Sequence, residues 1–195
     1  MEGRPRERVG IAVVLVVLVG AVAPVGDLSP VGYGFMSGMT IEPADASRGD
    51  LAEILRNYER FWGGRGEQLR YLHHPMFLLE FGDTAFVARR DDDGEIAGYL
   101  FGFVGPAGYG YIHLVGVRDD VRSAGIGRML YDRFTEEAVR RGATALKAIT
   151  SPQNEVSLAF HTRMGFTDME RFDDYAGSGQ VRIVMRKQLR SEPLS

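Results

Sequence analysis

Residues 108–150 place the tightest constraint on what this chain can fold into. "GYGYIHLVGV" (Gly108–Val117) has the β-branched and aromatic content of a strand, and "ALKAIT" (Ala145–Thr150) reads as a second, buried one. Between them "RSAGIGRML" opens a long helix on whose one face Ile126, Met129, Leu130, Phe134 and Ala138 recur, until Gly142 ends it. Strand, helix and strand joined this closely form a crossover, which puts a parallel pair inside the sheet. A glycine costs a helix about 1 kcal/mol relative to alanine. Two of them, Gly125 and Gly127, nevertheless stand where this helix begins, three and five residues after Arg122.

The flanking segments extend that unit into an α+β domain. Thr40–Glu42 is a short strand candidate, and "DLAEILRNYERFW" (Asp50–Trp62) has helical spacing that stops at Gly63. A weaker helical stretch follows near Glu67–His73. "TAFVARR" and "IAGYLFGFV" (Ile96–Val104) form a hairpin around "DDDGE", a solvated turn in which Gly94 supplies the positive φ. "NEVSLAFHTRM" is a helix closed by Gly165, with Phe166 expected to fold back on Phe160. Two strands close the chain, the last being "VRIVMRKQL", with Val181, Ile183 and Met185 inward and Arg182, Val184 and Arg186 outward. The expected architecture is a mixed, mostly antiparallel central sheet of six to seven strands flanked by about four helices.

Composition removes several function classes. The chain has no cysteine, so disulfides, a cysteine nucleophile and thiolate metal sites are excluded, and its four histidines lack metal-ligand spacing. A net charge of -3 gives no electrostatic bias toward nucleic acid. Residues 1–38 are a hydrophobic extension and linker of different character. Arg4, Arg6 and Arg8 precede the apolar run Val9–Val25, which reads as a membrane anchor, a secretory signal, or sequence upstream of a start at Met36 or Met39. The domain proper is expected over 39–190, with 191–195 a tail. The expected location is the cytoplasm, or a membrane if 9–25 anchors the chain.

The glycine-marked helix entrance fits neither a P-loop, which needs G-x-x-x-x-G-K-[ST], nor a dinucleotide fingerprint, because Leu130 stands where the third glycine belongs. A helix N-terminus exposes about four N–H groups at the positive end of its dipole. Bare backbone there lets an anion approach, and Arg122 and Arg128 add charge, so the entrance suits a pyrophosphate. The plainer alternative is that the glycines relieve crowding between strand and helix.

Arg122-Ser123-Ala124-Gly125-Ile126-Gly127 matches [RQ]-x-x-G-x-[GA], and Asn154, Phe160-His161 and Gly165-Phe166 follow in order on the next helix. In these two motifs the chain resembles the GNAT acyltransferase superfamily over about Thr40–Leu189. The resemblance implies acetyl-CoA as co-substrate, no metal, and transfer of its acetyl group to a small-molecule or peptide amine by direct attack in a ternary complex. It implies that Val115, Gly116 and Val117 pair with the pantetheine arm, and that 121–127 with Arg128 (so Ser123, Ala124, Gly125, Ile126 and Gly127) hold the diphosphate. Asn154 reaches the arm, caps its helix, or does both. Gly116 marks a bulge, a close backbone approach or relief of packing.

Proton transfer has three candidate groups. A lysine-like amine must lose a proton at a cost of about 4–5 kcal/mol at neutral pH. His113, on the strand before the glycine entrance, and Glu80 are candidate bases, His113 being equally readable as a core residue. His161 stands where many members of the family have a tyrosine that protonates the leaving thiolate; as an imidazolium it would serve the same end, or it lines the thiol pocket while water delivers the proton. Asp173, Asp174 and Tyr175 are candidates to attract a cationic acceptor. A monomer or homodimer is expected. Two other readings stay open: an acyl-CoA sensor of the same fold without turnover, and a membrane-tethered enzyme.

Overall fold

The computed structural model describes residues 38–63 and 69–189; the apolar run Val9–Val25 lies outside them. Seven strands form one sheet in the order β1-β2-β3-β4-β5-β7-β6. They are β1 (Met39–Pro43), β2 (Phe86–Arg90), β3 (Ile96–Val104), β4 (Tyr109–Val117), β5 (Ala145–Thr150), β6 (Asp168–Phe172) and β7 (Arg182–Gln188). Every neighbouring pair is antiparallel except β4–β5, the pair joined by the crossover helix. Among the described residues there are five α-helices: α1 (Asp50–Arg56), α2 (Tyr58–Trp62), α3 (Met76–Leu79), α4 (Ile126–Arg140) and α5 (Glu155–Arg163). The α+β architecture read from the sequence is the one observed. No helix among the described residues is long and apolar enough to cross a membrane.

Three local readings need correction. The helix expected over Asp50–Trp62 breaks at Asn57, whose Nδ2 donates to the Glu53 carbonyl at 3.2 Å and so competes with the helical ladder. The final strand is not half-solvated: Val184 is buried with Tyr111 and Ile149 while Met185 is buried in the core on the other face. Phe166 folds back, but onto His161 (ring centroids 5.0 Å apart) rather than Phe160. Its N–H donates to the His161 carbonyl and that of Gly165 to Thr162, the double bond of a Schellman ending with Gly165 at φ 86°.

The sheet separates two cores. Leu130, Tyr131 and Phe134 of α4 pack on Leu100, Ile112 and Val115 on one face. On the other, Ile54, Phe61, Trp62 and Phe77 pack on Tyr99, Phe101 and Leu114. A third and smaller cluster, Tyr111, Ile149 and Val184, lies under the β6–β7 connection.

Candidate functional site

β4 carries the site, and two irregularities shape it. Its ladder with β3 pairs Gly102 with Ile112 but Phe101 with Leu114, so His113 is the extra residue of a β-bulge. Alternation therefore fails at this point: His113 lies against Leu72 and Phe77, on the same side of the sheet as its neighbour Leu114. The parallel ladder with β5 pairs Tyr109–Ile112 with Ala145–Ala148 and goes no further. Beyond Ile112 the two strands part, and the last five residues of β4 form one wall of a wedge.

The wedge opens toward the mouth of α4. Asp119–Ala124 makes a 3-10 turn, and Gly125 then enters the helix at φ 72°, a left-handed conformation that a Cβ disfavours by about 1–2 kcal/mol. Met129 is the first residue whose N–H finds the helical ladder, on the Gly125 carbonyl at 3.1 Å. The N–H groups of Ile126, Gly127 and Arg128 precede it and point out of the helix end. Gly127 has a different cause from Gly125. A Cβ there would stand 3.5 Å from Phe160 of α5, ordinary contact, so alanine fits. Arg128 is exposed on the first turn beside Asp132. Arg122 turns inward instead: Nη2 donates to the Phe61 carbonyl at 3.0 Å, and its guanidinium also pairs with Asp119. It thereby ties the turn to the end of α2.

Val115 and Val117 pack into the α4-side core, leaving their backbone to the wedge. Gly116 is explained by packing: a Cβ would come within 2.7–2.9 Å of the ring and hydroxyl of buried Tyr99. The bulge lies three residues earlier, at His113. Asn154 is the N-cap of α5, its Oδ1 accepting from the Ser157 N–H at 3.2 Å.

The candidate proton-transfer groups fare differently. His113 is 4% exposed and stacked on Phe77 at 4.1 Å. Its Nε2 lies 2.9 Å from the Leu72 carbonyl, which can only accept, so Nε2 carries the proton and Nδ1 the lone pair. Burial lowers its pKa to about 4. His161 is fully buried between α4 and α5, with Nδ1 on the Ser157 carbonyl at 2.7 Å and Nε2 on the Tyr131 hydroxyl at 2.7 Å. Burial puts its pKa at about 4 as well. Burial, with both ring nitrogens bonded inside the protein, thus favours the neutral ring and works against the imidazolium that an acid role requires. Glu80 caps the C-terminal end of α3 and is exposed. No contact among the described residues joins it to His113.

Sequence reasoning missed two polar groups. The Trp62 Nε1–H donates to the Tyr99 oxygen at 2.6 Å, and Tyr99 lies 2.6 Å from Nε2 of His73, whose Nδ1 faces the Leu69 carbonyl. Leu69 O accepts Nδ1–H, so the Tyr99 hydroxyl donates to a neutral His73. Tyr131 was also missed. Its place on the apolar face of α4 disguised it as a core aromatic, and only its hydroxyl signals a partner.

A strand that parts from its parallel neighbour, next to a glycine-opened helix mouth, coincides with a family-level match. The acetyltransferase (GNAT) family model matches residues 50–166, more than half the chain. The chain belongs to the GNAT acetyltransferase family. Solved GNAT structures share its fold. Ard1 from Thermoplasma volcanium superposes with a TM-score of 0.63 at 16% identity, covering 79% of this chain and 99% of that one. The NatC complex bound to Gag peptide and CoA gives 0.62 at 19% identity, covering 78% and 99%. The ribosomal-protein-S18-alanine N-acetyltransferase from Escherichia coli gives 0.56 at 18%, covering 80% and 99%. No curated protein matches the chain. The described residues include no group of three or more His, Asp or Glu side chains able to hold a metal ion.

Proposed function

We propose that this GNAT protein, through its domain over 39–190, transfers an acetyl group from acetyl-CoA to an amine by direct attack in a ternary complex. The observation that carries the reading is the wedge between β4 and β5 ending at the outward N–H groups of Ile126, Gly127 and Arg128. Those groups and the exposed Arg128 suit a diphosphate. Ser123 and Ala124 lend backbone from the preceding turn, and Arg122 acts from behind by holding that turn. The backbone of Val115, Gly116 and Val117, past the end of the β5 ladder, suits the amides of a pantetheine arm.

In the reaction the amine nitrogen bonds to the thioester carbon while the carbonyl oxygen takes the electron pair, and a β4 N–H such as that of Val115 stabilises the oxyanion. On this reading Nδ1 of His113, on the same strand, takes the amine's proton through water and passes it on to solvent, since a pKa of about 4 does not let the ring keep it at pH 7. Collapse of the intermediate breaks the C–S bond. The thiolate takes its proton from solvent, since His161 is neutral and its ring is engaged at both nitrogens. His161 and Tyr131 hold α4 against α5 and thereby fix the wedge.

Calorimetric titration with coenzyme A, followed by thiol release from acetyl-CoA across a panel of amines, tests the proposal. Binding together with amine-dependent thiol release supports it. Binding without release for any amine gives the sensor reading instead, and absence of binding removes both.

A further inference from the structure

We infer that the acceptor is an amine that also carries a carboxylate beside an apolar or aromatic group, and that Arg182 receives the carboxylate. The inference rests on the transferase reading and concerns the part of the sheet next to the wedge that is most loosely covered. Under α4, and under α1 to α3, the sheet is sealed by continuous cores. Over β5 and β7 the roof is the β6–β7 connection, and only Tyr111, Ile149 and Val184 are buried. Around them Tyr109, Phe172 and Tyr175 are half-buried, an aromatic lining that water still reaches. This face borders the end of β5.

The charges of this recess do not suit a cationic acceptor. Asp173 is bound by Arg171 at 2.8 Å, and the Asp174 carboxylate accepts the Gly179 N–H at 2.7 Å, so both carboxylates are used in shaping the roof. Arg186 is shared by Asp168 and Glu170. Lys147 lies over the Tyr109 ring at 5.2 Å, the cation itself facing the recess.

Arg182 differs from its neighbours. Its Nη1 donates to the Val181 carbonyl at 2.8 Å, but its Nε is buried with no acceptor, and no carboxylate pairs with it among the described residues. A buried donor left unmade is costly, and in a native fold it calls for a partner. Because Nη1 is spent, the Nε–Nη2 edge remains, and this is the edge that grips a carboxylate with two parallel bonds. The register gives the position: Ile183 pairs with Thr150, the last residue of β5, so Arg182 sits one step beyond it, where β4 and β5 have parted. A carboxylate on Arg182 and an apolar group against Tyr175 and Phe172 leave the amine to face β4.

Matched acceptors test this on the intact protein. Phenylalanine and leucine are compared with phenethylamine and isoamylamine, which differ by loss of the carboxylate. The expected result is a kcat/KM at least tenfold higher for the amino acids. Arg182→Gln is expected to erase the preference by raising KM for the amino acids, while the decarboxylated amines and the affinity for coenzyme A stay as they were. A binding readout needs no turnover: calorimetry is expected to show N-acetylphenylalanine bound at least tenfold more tightly than N-acetylphenethylamine. Parity within each pair, equal losses in both on substitution, or no turnover of either amino acid overturns the inference. Coenzyme A binding with turnover of other amines would then leave the transferase reading standing.

Discussion

His113 and His161 look alike by burial and by pKa, and yet they differ in what they can do. Both are at most 4% exposed, and in both burial lowers the pKa to about 4. At His161 each ring nitrogen has a partner inside the protein. At His113 one nitrogen is fixed on the Leu72 carbonyl, and the other, the basic one, has no protein donor among the described residues. A lowered pKa does not tell the two rings apart. The count of their lone pairs and protons does.

Acid should bring out what the two share, and with the largest effect. Their folded pKa values lie below that of an unfolded histidine, as does that of His73 at about 4. The unfolded chain therefore binds more protons between these values, and stability is full above pH 6.5 and falls as pH drops toward 4. Each of the three is expected to cost about 2 kcal/mol by pH 5, which denaturant melts at pH 8 and pH 5 would measure. Melts unchanged over that range would mean that the rings are not buried neutral.

Substitution separates the pair. His161→Ala removes a fully buried ring and strands the Tyr131 hydroxyl, so a loss of about 3 kcal/mol in denaturant unfolding is expected, with little change in kcat for the folded fraction. A large fall in kcat at full stability would make His161 the acid after all. His113→Gln is expected to do the reverse, lowering kcat about 100-fold while the acetyl-CoA KM holds.

The glycine pair gives the smallest effects and a second contrast. Gly125→Ala should cost about 1–2 kcal/mol and weaken coenzyme A binding, read together by melting with and without ligand, because its φ is 72°. Gly127→Ala, with room for a methyl, should change stability by less than about 0.5 kcal/mol.

What the sequence disclosed and what it hid follow from the range of the interactions. The crossover, the glycine entrance and the Asn154 cap are local patterns, and the fold and the wedge follow from them. The His113 bulge was hidden, since a register slip between β3 and β4 leaves no trace in a run as regular as "GYGYIHLVGV". Arg182 was read as solvent-facing because it alternates with buried residues. Val184, apolar among two arginines, was the available sign that this face is covered too. Tyr99, Trp62 and His73 meet only in the folded chain, from β3, α2 and the loop after Leu72.

Tyr99 leans on the bare Cα of Gly116 and is tied by its hydroxyl to Trp62 and His73. The strand proposed to hold the donor and the inner wall of α2 are therefore mechanically one part. Drift at either must be answered at the other, so a change in the side chains of α2 is felt on the strand proposed for the donor, whereas the β6–β7 connection carries no such tie to Tyr99 among the described residues.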